Sequence, residues 1–309
     1  MAGSPSGTFV EGPVTVLVPA TSANLGPGFD CLGLALDLHD RLTGEVTGSV
    51  LDIEVVGEGE RTLPRTERHL VVRAMRTAFE VLGVTPAGLR LRFENGIPQS
   101  RGLGSSSAAI VGGLALARAL VRDGARLDDD KLLRLANRIE GHPDNVAPAL
   151  RGGFVVAGQA DDQVWGVSVP VRVEVGAVAF VPPDGVSTEV ARGLLPAQVA
   201  HDVAAANTGR AALLVAALSG ADADLGETLL RGTEDFLHQE FRSSAMPASY
   251  ALVGALRADG YAAFISGAGP TVLVLAPPDA ISGLAARCPS GWVSHTLGID
   301  RSGVRVVAT

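Results

Sequence analysis

Apolar and polar residues change period several times along the chain, and each change marks an element. Short runs rich in valine and leucine predict strands at about 13–18, 32–37, 42–47, 51–56 and 88–95. Apolar residues three and four apart predict helices at about 69–82, 105–121 and 129–139, most plainly from His69 to Phe79. Strand signals return at 153–157, 164–169 and 174–181. The second half alternates helices (about 188–195, 208–218, 222–238, 247–258) with strands (about 261–266, 271–276, 291–297). Strands and helices mix without a strict βαβ rhythm, so the expected class is α+β. No internal repeat is visible. A domain boundary is expected between 155 and 185, with Asp161-Asp162-Gln163 and Pro182-Pro183-Asp184-Gly185 as the candidate breaks. The division adopted is 1–165 and 166–309.

The 309 residues suffice for two ordinary domains. Apolar residues make up 47% and charged residues 19%, the balance of a globular chain. The net charge of −8 argues against a general nucleic-acid or membrane-surface binder, which needs a basic face. No apolar run reaches the roughly 18 residues of a membrane span; the nearest, Ala108 to Leu120, is interrupted by Arg118. Two cysteines, Cys31 and Cys288, make no disulfide framework, and the first residues lack the pattern of a signal peptide. A cytoplasmic protein is therefore expected, with the first dozen small, polar residues frayed. Glycine is abundant, at 38 residues, and Lys131 is the single lysine. The plain reading of the arginine bias is a GC-rich genome.

Three glycine-rich segments carry candidate chemistry. Ile97-Pro98-Gln99-Ser100-Arg101-Gly102-Leu103-Gly104-Ser105-Ser106-Ser107 runs from a strand into a helix. Its serines sit at the helix N-terminus, where free N–H groups and the helix dipole attract an anion such as phosphate. It lacks the lysine of a Walker loop and the third glycine of the dinucleotide fingerprint. A serine-capped helix after a tight turn reads the loop equally well. Pro19 to Leu36 reads as a strand, a long turn rich in Gly, Pro and Asn that carries Asp30, and a returning strand. That turn is either a binding loop or an ordinary surface loop. Ile265-Ser266-Gly267-Ala268-Gly269-Pro270-Thr271 is either a tight hairpin or a place of close backbone approach. A fourth segment, Glu140 to Pro148, packs polar side chains behind a helix. It fits no zinc motif, having one histidine and no cysteine; magnesium bound to phosphates suits a lone carboxylate and a serine hydroxyl better.

Together these segments resemble the GHMP kinase superfamily. Its phosphate-loop pattern, Pro-x-x-x-Gly-Leu-Gly-Ser-Ser-x-Ala, is matched without a gap from Pro98 to Ala108, and its first and third motifs by 19–36 and 266–271. Ser22 to Asp30, Glu140 to Pro148 and Ser187 to Arg192 followed by Leu195-Pro196 resemble the branch acting on homoserine. The resemblance implies an N-terminal domain like ribosomal S5 domain 2, a C-terminal ferredoxin-like domain and ligands between them. It implies transfer of the ATP γ-phosphate to the hydroxyl of L-homoserine, towards threonine, by a homodimer.

Residue roles follow from the same resemblance. Pro98, Arg101, Gly102, Leu103, Gly104, Ser105, Ser106 and Ser107 form the implied ATP site. Ser106 and Glu140 are the implied magnesium ligands. Asn24, Asp30, His142, Arg192, Arg242 and Gly267 are the implied substrate contacts, with Asp30 on the ammonium and both arginines on the carboxylate. Arginine suits that task because its planar fork grips two oxygens. Asn145 and Thr188 are implied near the transferred phosphate. Taken singly, Arg192 and Arg242 read as solvated helix residues and Glu140 as a local cap. His142 reads as a residue holding its loop, for want of a partner carboxylate at a relay spacing.

Mevalonate-type relatives use an Asp activated by Lys, but no lysine lies near the first or fourth segment, although Asp144 is available. No dedicated general base is expected; the hydroxyl proton would pass to the γ-phosphate or to water. A kinase of the same fold for another small alcohol, or a non-catalytic sensor, are the competing readings. The paired arginines with Asp30 speak against the first, and Ser106 with Glu140 against the second.

Overall fold

The backbone of the molecule is organised on one long hairpin. Strand β1 (Val14–Asn24) and strand β2 (Gly28–Thr47) pair antiparallel along almost their whole length. The computed structural model describes residues 7–308 apart from 49, 162, 173–174 and 221–224. Residues 1–6 of the expected frayed end, Asp162 of one candidate break, Glu174 and positions 222–224 thus lie outside the described residues.

The hairpin corrects two expectations. The strand pairing continues to Asn24 opposite Gly28, so the expected long turn is three residues, Leu25 to Pro27. Its small residues imitate loop composition, but Ala20, Thr21, Ser22 and Ala23 are buried, because other loops pack directly onto them. The expected strands 32–37 and 42–47 are one strand of 20 residues. The polar stretch between them misled, and its buried member has a local task. Asp40 accepts the N–H groups of Gly96 (2.8 Å) and Ile97 (3.0 Å), holding the chain where it leaves the next strand for the phosphate-type loop.

Strand β3 (Leu51–Gly57), helix α1 (Leu70–Val81) and strand β4 (Gly88–Asn95) follow, with β3 and β4 parallel and β4 antiparallel to β2. Helix α2 (Ser105–Leu120) is apolar on nearly all sides and packs against α1, β1 and β2. A side chain at Gly113 would strike the carbonyl of Val71, so glycine lets the two helices approach. Helix α3 (Asp129–Glu140) ends at Gly141, whose φ of 96° makes the left-handed stop. A helix not expected from the pattern, α4 (Pro143–Arg151), begins two residues later. Proline at its first position and Asp144 in its first turn are ordinary start signals; Pro148 inside it concealed them.

Strands β5 (Phe154–Ala160) and β6 (Gln163–Val169) complete this side, β5 pairing with β2. The division at 165/166 falls inside β6. The sheets change only between Val169 and β7 (Gly176–Val181). Helices α5 (Thr188–Gly193), α6 (His201–Ser219), α7 (Leu225–Gly232), α8 (Gln239–Arg242) and α9 (Pro247–Ala258) lead to strands β8 (Ala262–Ile265) and β9 (Val272–Ala276). The expected helix 222–238 stops at Gly232. Beyond it the Asp235 carboxylate accepts the N–H groups of Leu237, His238 and Gln239 and starts α8. Helix α10 (Pro278–Ala285), strand β10 (Val293–Leu297) and strand β11 (Arg305–Val307) close the chain; neither α10 nor β11 was expected.

The α+β expectation holds. One sheet runs β11-β1-β2-β4-β3 with β5 and β6 attached through β2, and the other runs β10-β7-β9-β8. The second is antiparallel in the order 4-1-3-2 with helices between its outer pairs, which is the ferredoxin-like arrangement. Strand β11 returns to the first sheet beside β1 and is held there by Asp300. That carboxylate contacts His39 of β2 (2.6 Å) and Arg305 (2.9 Å) and accepts the N–H groups of Ser302 and Gly303. Among the described residues no helix is long and apolar enough to cross a membrane.

Candidate active site

Three loops meet: the β1–β2 turn, the loop before α2 and the loop between β8 and β9. The contacts are specific. Ser266 Oγ donates to the Gly102 carbonyl (2.6 Å) and lies 2.8 Å from Ser22 Oγ. The N–H of Gly267 donates to Ala23, the N–H of Thr271 to Arg101, and the Asn24 amide to the Gly267 carbonyl (2.9 Å). A cleft opens between these loops and the starts of α4 and α5.

The loop before α2 explains its two glycines. Gly102 and Gly104 have φ of 77° and 69°. A Cβ at 102 would sit 2.2 Å from the Ser266 carbonyl, and one at 104 would sit 1.9 Å from Thr21 Oγ1. The close approach is thus made first by the protein's own loops. Gly104 is the residue that caps α2, and it has no side chain to bond the first-turn N–H groups. This removes the serine-capped reading and leaves those donors to an anion. Gly102, Gly104, Ser105 and Ser106 line the cleft, whereas Leu103 and Ser107 are buried and Pro98 stands outside the lining. Arg101 lines it too, but its guanidinium is taken up by the carbonyls of Gln99, Pro182 and Pro183.

Ser106 Oγ donates to one oxygen of Glu140 (2.8 Å) and Ser107 Oγ to the other (2.8 Å). A hydroxyl and a carboxylate side by side at a phosphate-type helix end are hard oxygen donors of the kind Mg²⁺ takes alongside phosphate oxygens. The donor set fits that ion. Lys131 lies elsewhere, on α3, with Asp128 (3.2 Å) and the Arg126 carbonyl.

Helix α4 brings its residues close because β2 has glycine at 33, where a Cβ would meet the Asp144 carbonyl at 1.9 Å. The expectation that His142 lacks a partner carboxylate is overturned: Asp144 Oδ1 lies 2.8 Å from His142 Nδ1. The two residues straddle the start of α4, a spacing that only the helix cap makes short. Burial works to lower the His142 pKa, but the hydrogen bond and charge of Asp144, with the charge of Glu140, outweigh it and raise the value. Asn145 lines the cleft and its Oδ1 accepts from Thr21 Oγ1 (2.8 Å).

Three charges gather at the cleft, Arg192 and Arg242 in its lining and Asp30 beside them. Arg192 grips Asp30 with both terminal nitrogens, at 2.5 and 3.0 Å. The Asp30 hydrogen bond raises the already high Arg192 pKa. Asp30 itself is held by its own N–H on Asn24 Oδ1 (3.0 Å) and lies beside the cleft without lining it. Arg242 is 2% exposed, and burial, with the charge of Arg192, pushes its pKa down to about 10, so it stays charged at neutral pH. It donates to the Ala191 carbonyl and to Nδ1 of His238, whose Nε2 is 2.7 Å from the Gly26 carbonyl. Burial lowers the His238 pKa and keeps that ring neutral, as an acceptor for Arg242 must be. The Phe29 ring lies within 5.5 Å of both guanidinium groups. Thr188, Gly267 and Ala268 complete the lining. Sequence reasoning had not singled out Thr21, Phe29 or His238. They carry no charge pattern, and their partners are far away in sequence.

Comparison with known proteins fits this geometry. The models of the GHMP kinase N-terminal and C-terminal domains match residues 69–153 and 213–293. The chain is 52% identical over 300 residues to homoserine kinase of Streptomyces coelicolor, covering 97% of this chain and 96% of that one. It is 46% identical to homoserine kinase of Cutibacterium acnes, covering 93% and 97%. The crystal structure of homoserine kinase from Cytophaga hutchinsonii superposes with a TM-score of 0.84 at 27% identity, covering 99% of this chain and all of that one. With its phosphate-type helix end, its acidic and basic charges in one cleft and these relatives over nearly its whole length, the chain belongs to the homoserine kinases, a branch of the GHMP kinases.

Proposed function

We infer that the protein transfers the γ-phosphoryl group of ATP to the side-chain hydroxyl of L-homoserine, giving ADP and O-phospho-L-homoserine. The observation that carries the substrate assignment is the meeting of Asp30 with Arg192 and Arg242, the two arginines in the cleft lining and the carboxylate beside it. An amino-acid zwitterion needs both signs of charge; mevalonate or a sugar does not.

In this reading the N–H groups from Gly102 to Ser107 and the α2 dipole cradle the triphosphate. Ser106 and Glu140 would hold a magnesium ion, which when bound neutralises phosphate charge. Asp30 takes the substrate ammonium while Arg192 and Arg242 take its carboxylate. The substrate thereby replaces one internal ion pair by pairs of its own. Asn145 and Thr188 line the same cleft and position the acceptor hydroxyl and the transferred group. Phosphoryl transfer depends on alignment and charge stabilisation more than on covalent help. The enzyme works in the cytoplasm, with Cys31 and Cys288 as free thiols, and acts as a homodimer of two-domain chains.

ADP release measured with Mg-ATP and L-homoserine, mevalonate, galactose or shikimate tests the assignment. Turnover restricted to L-homoserine is expected. Turnover with another alcohol alone would move the substrate assignment, and turnover with none would favour a sensor.

A further inference from the structure

Thr21 sits in the middle of β1 and is wholly buried, yet its hydroxyl points at catalytic machinery. Its Oγ1 donates to Asn145 Oδ1 at 2.8 Å, across 124 residues of chain. Its backbone N–H donates to the Leu103 carbonyl at 3.1 Å. The same hydroxyl lies where a Cβ of Gly104 would be, 1.9 Å away, so it is pressed against the cap of the phosphate-type helix. Thr21 itself does not line the cleft, while Asn145 does.

A side-chain amide has two faces of opposite chemistry, an acceptor oxygen and a donor nitrogen. In the structure the Thr21 hydroxyl donates to the amide oxygen and anchors the side chain there. With its oxygen held by Thr21, the Asn145 amide, which lines the cleft, has both N–H groups free to turn toward it. An oxygen in that place would repel the oxygens of a phosphoryl group, whereas N–H donors stabilise them.

We propose that Thr21 is a positioning residue: its buried hydroxyl anchors the Asn145 amide through its oxygen and ties it to the cap of α2, so that amide donors and helix N–H groups converge on the phosphoryl group in transit. The proposal rests on the placement of Asn145 at the reacting atoms made above.

Kinetics of Thr21→Val, Thr21→Ser, Asn145→Ala and the double variant Thr21→Val/Asn145→Ala test it, with thermal melts to confirm folding. Valine keeps the shape and removes the donor. Thr21→Val should lower kcat by about 10²-fold, the scale of a small misplacement at a reacting centre, with KM for ATP and L-homoserine within about threefold. Thr21→Ser should recover most of kcat, and adding Thr21→Val to Asn145→Ala should cost nothing further. A loss confined to KM, no recovery with serine, or full additivity in the double variant would overturn the positioning role. If kcat of Asn145→Ala equals that of the unaltered enzyme, the placement of Asn145 fails and the proposal with it. Should the valine variant not fold, Thr21→Ala is judged by the same criteria.

Discussion

Arg192 and Asp30 hold each other through two hydrogen bonds, at 2.5 and 3.0 Å, one residue from the second half of the chain and one from the first strand pair. The two charges of the pair offset each other in the free site and suit it to a ligand carrying both charges. Asp30→Asn should raise KM for L-homoserine by about 10–100-fold, the worth of a hydrogen bond to a charged group. KM for ATP should hardly move. Steady-state kinetics against each substrate separately provide the check; equal effects on both would show that Asp30 serves the fold instead.

Glu140 accepts two serine hydroxyls, but only Ser106 lines the cleft with it. Ser106→Ala and Glu140→Gln should both raise the magnesium concentration needed for half-maximal rate. Ser107→Ala should do so far less, because that buried serine orients the carboxylate from behind. Magnesium titrations at saturating ATP decide this, and an equal effect of all three would point to a purely structural triad.

Gly102→Ala should destabilise the fold by about 1–3 kcal/mol, the scale of a strained non-glycine residue at positive φ. The Ser266 carbonyl stands in the way of the new methyl group, so the 266–270 loop should also lose its seat. Urea unfolding measures the first effect, and faster proteolysis at that loop the second. An unchanged unfolding midpoint would contradict the packing described.

Asp40 gives the pH dependence of stability a specific source. Burial, the largest influence, pushes its pKa up to about 7, against the lowering effect of two backbone N–H donors. A carboxyl raised on folding favours the native state below its ordinary pKa, and the benefit is lost as pH rises through the folded value. The melting temperature should therefore fall between about pH 4 and 7 relative to Asp40→Asn, and level off above that. The asparagine keeps an oxygen for Gly96 and Ile97 and removes the titration. Parallel pH profiles for the two proteins would refute this assignment.

Much of this site could be read from local chemistry in the sequence. Gly102, Gly104 and Ser106 announce a helix-end anion site because the chemistry lies in consecutive residues. The amphipathic spacing from His69 to Phe79 gives α1 almost to its ends. Other features depend on partners that no window of sequence contains. Thr21 looks like one of several small polar residues until Asn145 and Gly104 are seen against it. The His142–Asp144 contact needs the helix start that Pro148 hid. Strand β2 looked broken because Asp40 is polar, and its reason for being there lies at Gly96. Strand β11 is only three residues long, too short for a periodic pattern, and owes its place to β1 and the Asp300 clamp.

The most direct test of the central claim is the identity of the phosphorylated product. Phosphorus NMR and mass spectrometry of the enzyme with Mg-ATP and L-homoserine should show a phosphomonoester of the amino acid accumulating one for one with ADP. Release of inorganic phosphate alone, or ADP formation independent of L-homoserine, would contradict the account.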